Sequence, residues 1–210
     1  MFKLISATPS PYARKVRIAL IEKGLAFELI TEVPWDSSTA TPRYNPLEKL
    51  PVLILDDGSS VYESSYILDW LELKYPQTPL LPPDVDGILA AKKLDVLCNG
   101  VCDAVVLTFF ERQREGGGSP EWLARQRRKI EGGLGEIARL VGTREWAVGE
   151  HFSLGDIAAG TAAGYLSVRL KELPVREMYP ALTAYADRLA LRPSFAATQP
   201  YPQNITDKIV

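Results

Sequence analysis

The stretch TPSPYARKVRIAL, Thr8 to Leu20, sets a Ser-Pro pair ahead of a run in which Ala13, Val16 and Leu20 recur at helical spacing. Pro11 suits the first position of a helix and Ser10 its N-cap. A hydroxyl beside unpaired N–H groups at the positive end of a helix is a place for an anion. The rest of the chain limits what could happen to that anion. His151 is the only histidine, so a multi-histidine metal site is excluded. A Ser-His-Asp triad would have to use His151, which has no nucleophile-elbow motif to serve. The sequence holds no phosphate loop of the G-x-x-x-x-G-K-[ST] type and no G-x-G-x-x-G after a strand. GGGS (116–119) lies between two helical patterns and reads as a turn. Cys98 and Cys102 are the two cysteines. At i, i+4 in LDVLCNGVCDAVV they read as small core residues on one helix face rather than as a bridge.

The elements that must carry these residues follow from periodicity. FKLIS (2–6) and FELIT (27–31) read as strands on either side of the Ser10 helix, and Gly24 stops that helix. Strands joined through a helix should run parallel, with a right-handed connection. A long connection, 32–49, contains Pro34, Pro42 and Pro46. Val52 to Leu55 is a strand, Asp57-Gly58 a hairpin turn, and Val61-Tyr62 the returning strand. Ser64 or Ser65 then caps a helix that Pro76 ends. Four prolines in PQTPLLPPDVDG (76–87) mark a domain boundary. Beyond it the pattern is helical over 88–114, 121–141, 154–173 and 179–191. In FSLGDI (152–157), Ser153 and Asp156 form a capping box, which makes Asp156 a folding residue. The last ten residues carry little periodicity and read as a tail.

The 210 residues are 46% hydrophobic and 24% charged, with a net charge of −2, an ordinary globular composition with room for two small domains. No bulk basic field recruits nucleic acid. RQRRK (125–129) reads as a solvated helix face. No charged n-region precedes a long apolar run, and no segment approaches eighteen apolar residues. The expectation is a cytoplasmic protein without signal peptide or membrane contact.

The chain resembles the cytosolic glutathione S-transferases over Met1 to about Thr198. TPSPYARKVRIALIEKGLAFEL resembles their first β-α-β unit in bacteria and plants. NPLEKLPVLILDDG is similar to N-P-x-x-K-[VIL]-P-x-L, YESSYILDWL to E-S-x-x-I-x-x-Y/W-L, and SLGDIAAG to S-x-A-D, with Gly155 where alanine is common. The resemblance implies a thioredoxin-like α/β domain over 1–78, a linker over 79–87 and an all-α domain over 88–210. It implies glutathione as co-substrate, no metal, a homodimer, and attack of the thiolate on a small hydrophobic electrophile, the chemistry of detoxification. By position, Glu63 and Ser64 would hold the γ-glutamyl end, Leu50 before a cis Pro51 the cysteinyl backbone, and Lys49 the glycyl carboxylate. Ser10 would donate its hydroxyl to the sulfur, with Thr8 as the competing hydroxyl. The electrophile pocket, expected between the domains, would draw on Tyr12, Trp35, Val106, Phe109, Phe110 and Tyr165. Asp103 stands where an acid in several classes reaches glutathione in the partner subunit. The absence of a cysteine at the Ser10 position argues against disulfide chemistry. Two alternatives stay open. One is a non-catalytic regulator of the same fold, resembling stringent-starvation proteins. The other is a glutathione-dependent isomerase, peroxidase, dehalogenase or β-etherase.

Overall fold

The computed structural model describes residues 1–207 and divides the chain into two compact units. Among the described residues the first unit comprises Met1–Leu80 and 193–207, and the second Leu81–Arg192.

In the first unit the order is β1 (Phe2–Ser6), α1 (Pro11–Glu22), β2 (Phe27–Thr31), β3 (Val52–Ile54), β4 (Ser60–Val61) and α2 (Ser64–Lys74). The sheet runs β2-β1-β3-β4, with β1 and β2 parallel across α1 and the other two pairs antiparallel. This is the expected α/β arrangement, since a helical crossover returns the chain to the end from which it started. Leu4, Ile5, Val16, Leu20, Leu53, Ile67 and Leu71 fill the interior. β2 is an edge strand and mostly exposed; its Glu28 sits 3.5 Å from Lys3, its direct neighbour in register. Gly24, just past the C-cap of α1, has φ +66°, a conformation that favours glycine. A buried ion pair closes the unit. Lys23 Nζ lies 2.7 Å from the Glu72 carboxylate and donates to the carbonyls of Tyr75 (3.0 Å) and Thr78 (2.8 Å). It ties the end of α2 and the first proline turn to the end of α1.

The second unit holds α3 (Val85–Glu111), α4 (Pro120–Val141), α5 (Leu154–Arg169), α6 (Val175–Met178) and α7 (Pro180–Ala190). α5 is the central helix, buried without interruption from Leu154 to Ala162. Its alanines and glycines let α3 and α7 approach closely. On α4, Gly133 faces Val101 of α3 so closely that a Cβ would collide. Cys98 and Cys102 are buried and free. No helix among the described residues is long and apolar enough to cross a membrane.

Three boundaries differ from the sequence reading. Glu63, rather than Ser64 or Ser65, is the N-cap of α2, its carboxylate accepting the Tyr66 N–H at 2.9 Å. The helix expected over 154–173 stops at Arg169, and Leu170 leaves helical geometry. The segment read as the end of the helical domain belongs instead to the first unit. There α8 (Pro193–Ala196) packs on α1. Arg14 is nearly buried beneath it, with Nε 3.4 Å from Thr198 Oγ1, Nη2 3.4 Å from the Phe195 carbonyl, and the guanidinium 5.3 Å from the Phe195 ring. Burial, with Arg17 nearby, lowers its pKa to about 10. The stretch read as a tail is pinned as far as Asp207. Gln203 Nε2 donates to the Glu32 carbonyl (3.1 Å), and Thr206 donates to Asp36 through both N–H and hydroxyl (3.0 and 2.8 Å). These partners lie about 170 residues away and leave no local period. Residues 208–210 of that stretch lie outside the described residues.

Candidate active site

The register of the sheet decides where the chemistry-bearing loops emerge. Ile5 near the end of β1 pairs with Val52 at the start of β3, and Leu53 pairs with Val61 at the end of β4. The 7–10 turn, the 49–51 segment and the 62–64 segment therefore leave one end of the sheet together. Those segments carry Ser10, then Lys49, Leu50 and Pro51, then Glu63 and Ser64.

Ser10 N–H bonds the Ala7 carbonyl at 3.1 Å, closing the turn after β1. Ser10 is the N-cap of α1, its Oγ accepting the Ala13 N–H at 3.2 Å. A hydroxyl that accepts at a cap still has its own proton to give. Thr8 has committed its proton, because Thr8 Oγ1 donates to the Tyr201 carbonyl at 3.2 Å. Of the two hydroxyls, Thr8 is thus engaged by the C-terminal segment and Ser10 by the front of α1. Tyr12, partly exposed, lies in the first turn of α1.

The long 32–49 connection is ordered by two side chains. Glu32 Oε2 accepts from the N–H groups of Ala40 (3.0 Å) and Thr41 (3.1 Å) and from the hydroxyls of Thr41 (2.9 Å) and Thr39. Buried Asn45 donates from Nδ2 to the Lys49 carbonyl (2.7 Å) and accepts the Leu47 N–H at Oδ1 (2.9 Å). Between them Glu48 takes φ +55°. Asn45 thus sets the course of the loop into Lys49, whose side chain is exposed. Leu50 packs against Ile5, Val52 and Ile54, which turns its side chain inward. The Leu50–Pro51 bond is cis, as the resemblance implies, and the Tyr62–Glu63 bond is also cis. Ser64 opens α2, buried beside the exposed Glu63. Trp35 is 51% exposed on the connection.

In the helical unit, α3 carries Val106, Phe109 and Phe110, whose rings meet edge to face at 5.0 Å. Tyr165 of α5 is buried, and burial raises its phenol to about 12. Arg169, one turn later, places its guanidinium 3.9 Å from the Phe109 ring. Asp103 is exposed on α3. Asn45 stands inside the NPLEKLP segment, where Asn-Pro signals a turn. Glu32, Arg14 and Arg169 carry no local signal for the roles they take.

The acid at the start of α5 behaves differently from Glu63. Asp156 is fully buried, accepting the N–H groups of Ala147 (2.9 Å) and Ser153 (2.7 Å) and the hydroxyls of Ser153 (3.0 Å) and Tyr185. It completes the capping box and holds the preceding loop. Among the described residues no group of three or more His, Cys, Asp or Glu could hold a metal ion.

A thioredoxin-like α/β unit with a helical unit is the architecture of the glutathione S-transferases, and the comparisons agree. Residues 4–79 match the glutathione S-transferase N-terminal domain and residues 120–188 its C-terminal domain. A GST-like protein of Escherichia coli K12, YibF, is 33% identical over 94% of this chain and 98% of its own length. A glutathione S-transferase of Methylobacterium radiotolerans, solved in complex with glutathione sulfonate, is 70% identical with a TM-score of 0.98, covering 100% of this chain and 99% of its own. A glutathione S-transferase of Methylobacillus flagellatus, solved with glutathione bound, is 37% identical with a TM-score of 0.90, covering 95% and 100%. The chain belongs to the glutathione S-transferase family.

Proposed function

We propose that this chain is a cytoplasmic glutathione transferase that presents glutathione as a thiolate to small hydrophobic electrophiles. The carrying observation is the sheet register, which sends the Ser10, Lys49–Pro51 and Glu63–Ser64 segments out of one end of the sheet. Glutathione carries two carboxylates, an ammonium and a thiol. Glu63 faces the ammonium, and Ser64 with the N–H groups opening α2 takes the γ-glutamyl carboxylate. Lys49 meets the glycyl carboxylate, and the Leu50 backbone pairs with the cysteinyl residue. Ser10 gives its proton to the sulfur at the positive end of α1. The committed Thr8 hydroxyl supports Ser10 in that role. The ligands of the Methylobacterium and Methylobacillus proteins support glutathione as the co-substrate.

A thiol of pKa about 8.5 is roughly 3% ionised at pH 7. Lowering the pKa by about two units raises the thiolate roughly 25-fold, and lower nucleophilicity returns about 6- to 10-fold of that. The net gain from ionisation is only a few-fold, so most of the acceleration comes from holding the electrophile beside the sulfur. The residues proposed to contact the electrophile are Val106, Phe109, Phe110 and Tyr165 in the helical unit and Tyr12 and Trp35 in the first. Pairing as a homodimer draws support from α3, where Val85 (70% exposed), Leu89 (60%), Val96 (70%) and Leu107 (42%) form an exposed stripe. Asp103 lies exposed on the same helix, and in this reading it is the acid that reaches glutathione in the partner.

Calorimetry with glutathione and with S-methylglutathione tests the assignment on wild type and Ser10→Ala. Micromolar to millimolar binding, with a loss in the variant confined to the free thiol, is the expected result. No binding to wild type would leave the motifs as scaffold and favour the regulatory alternative.

A further inference from the structure

Two separate sets of bonds hold the 32–49 connection. Its later part is held from within: Glu32 gathers Thr39, Ala40 and Thr41, and Asn45 bonds Lys49 and Leu47. Its earlier part, Val33 to Ser37, has turn bonds of its own, with the Asp36 N–H donating to the Val33 carbonyl (3.1 Å) and the Thr39 N–H to the Asp36 carbonyl (3.0 Å). The C-terminal segment ties that part to the rest of the unit. Asp36 Oδ1 accepts the N–H groups of Thr206 (3.0 Å) and Asp207 (3.2 Å), and Oδ2 accepts the Thr206 hydroxyl (2.8 Å). Asp207 bonds in the opposite direction, its Oδ2 accepting the Ser37 N–H at 2.5 Å. Each carboxylate thus grips the backbone of the other segment, through bonds that its charge strengthens. The C-terminal segment is fixed twice more, by Gln203 on the Glu32 carbonyl and by the Thr8 hydroxyl on the Tyr201 carbonyl.

Trp35 lies in the latched turn, immediately before Asp36, and is 51% exposed. A half-exposed loop side chain is placed largely by its backbone, and a loop with few buried contacts opens at little cost. The bonds from Thr206 and Asp207 fall on the two residues that follow Trp35, where they oppose such opening. Lys49 and Leu50 stand at the far end of the connection, where Asn45 sets the backbone. The two ends of the connection therefore answer to different holds. In the transferase reading they also meet different ligands, glutathione at Lys49 and the second substrate at Trp35.

We propose that Asp36 is a positioning residue for the second substrate: with Thr206 and Asp207 it latches the C-terminal segment to the connection and so fixes the Trp35 indole. This rests on the transferase reading above and deepens it. The electrophile it favours carries a flat apolar group that packs on the indole.

The test is calorimetric binding of glutathione and of S-benzylglutathione to wild type, Asp36→Ala, Asp36→Asn, Trp35→Ala and the double variant Asp36→Ala with Trp35→Ala. The S-benzyl group should tighten binding to wild type by about 10-fold or more. Asp36→Ala should lose about 3- to 10-fold of that gain and leave affinity for glutathione itself unchanged. Asp36→Asn, whose amide oxygen can still accept both N–H groups, should keep most of the gain. In the double variant Asp36→Ala should cost nothing beyond Trp35→Ala, because both act through one side chain. No gain in wild type, a gain that survives Asp36→Ala, an equal loss for glutathione itself, or additive losses in the double variant each overturn the proposal and leave the transferase reading intact. Asp207→Ala strikes the latch from the other side and should repeat the loss; it decides the matter if Asp36→Ala does not fold. Failure of glutathione to bind wild type overturns the transferase reading instead. The latch is then decided by acrylamide quenching of Trp35, taken as each protein's difference from its Trp35→Phe counterpart. Stronger quenching in Asp36→Ala than in wild type supports the latch, and equal quenching refutes it.

Discussion

Asp156 and Glu63 both stand at the start of a helix beside a serine, yet Asp156 is fully buried and Glu63 exposed. Asp156 spends its oxygens on four donors of its own chain. Glu63 spends one oxygen on the Tyr66 N–H at 2.9 Å. An N-cap glutamate and an N3 aspartate, each at the front of a helix, thus serve different ends, and burial separates them. An acid whose lone pairs are taken up inside the fold is a structural part; one that caps a helix from the surface keeps capacity for a ligand.

Substitutions at the two places should therefore move different observables. Asp156→Ala is expected to have the largest effect, about 3–5 kcal/mol lost in urea unfolding, because it strands buried donors. Glu63→Gln should cost about 1 kcal/mol or less, the range of a helix cap. If Asp156→Ala unfolds no more easily than Glu63→Gln, the contrast collapses. The second effect belongs to the ligand. Glu63→Gln or Ser64→Ala should weaken glutathione at least about 10-fold, the loss of one charge-assisted contact. Unchanged affinity by calorimetry in both variants would remove the pair from the binding role.

Ser10→Ala combines both kinds of loss. It removes the cap of α1, about 1 kcal/mol, and is expected to lower turnover between a few-fold and about tenfold. The pH–rate profile should move toward higher pH, while Thr8→Val leaves it in place. An unmoved profile in Ser10→Ala would sever Ser10 from the sulfur.

The smallest effect is one of pH. Burial, then the charge of Asp156, raises the Tyr185 phenol above its ordinary value of 10. Below that value the phenol is protonated in folded and unfolded chains alike. Above it the unfolded chain releases the proton while the folded chain keeps it, so stability falls as pH rises. Wild type should lose melting temperature more steeply above pH 10 than Tyr185→Phe does. Parallel slopes would show that the phenol is not held by Asp156.

Much of the site could be read from the chain because local rules write it. Ser10-Pro11 is a helix start with a local hydrogen bond, and Ser153-x-x-Asp156 is another; both depend on residues three apart. Asn45 could have been found through its Asn-Pro turn. Glu32, Arg14 and Arg169 could not, since each draws its meaning from residues that are distant or elsewhere in the fold. The C-terminal stretch carries no local signal for the same reason: its polar contacts with Thr8, Glu32 and Asp36 have no period.

The sequence by itself determined the strand and helix order, the helix starts at Ser10 and Ser153, and the motif that marks Lys49, Leu50 and Pro51, because these follow from backbone geometry and neighbours a few residues away. Tertiary structure alone decided that Thr8 bonds the Tyr201 carbonyl, how the 32–49 connection is held, and that Arg169 stacks on Phe109. Those outcomes turn on burial and on which distant groups become partners, and neither is set until the chain has folded.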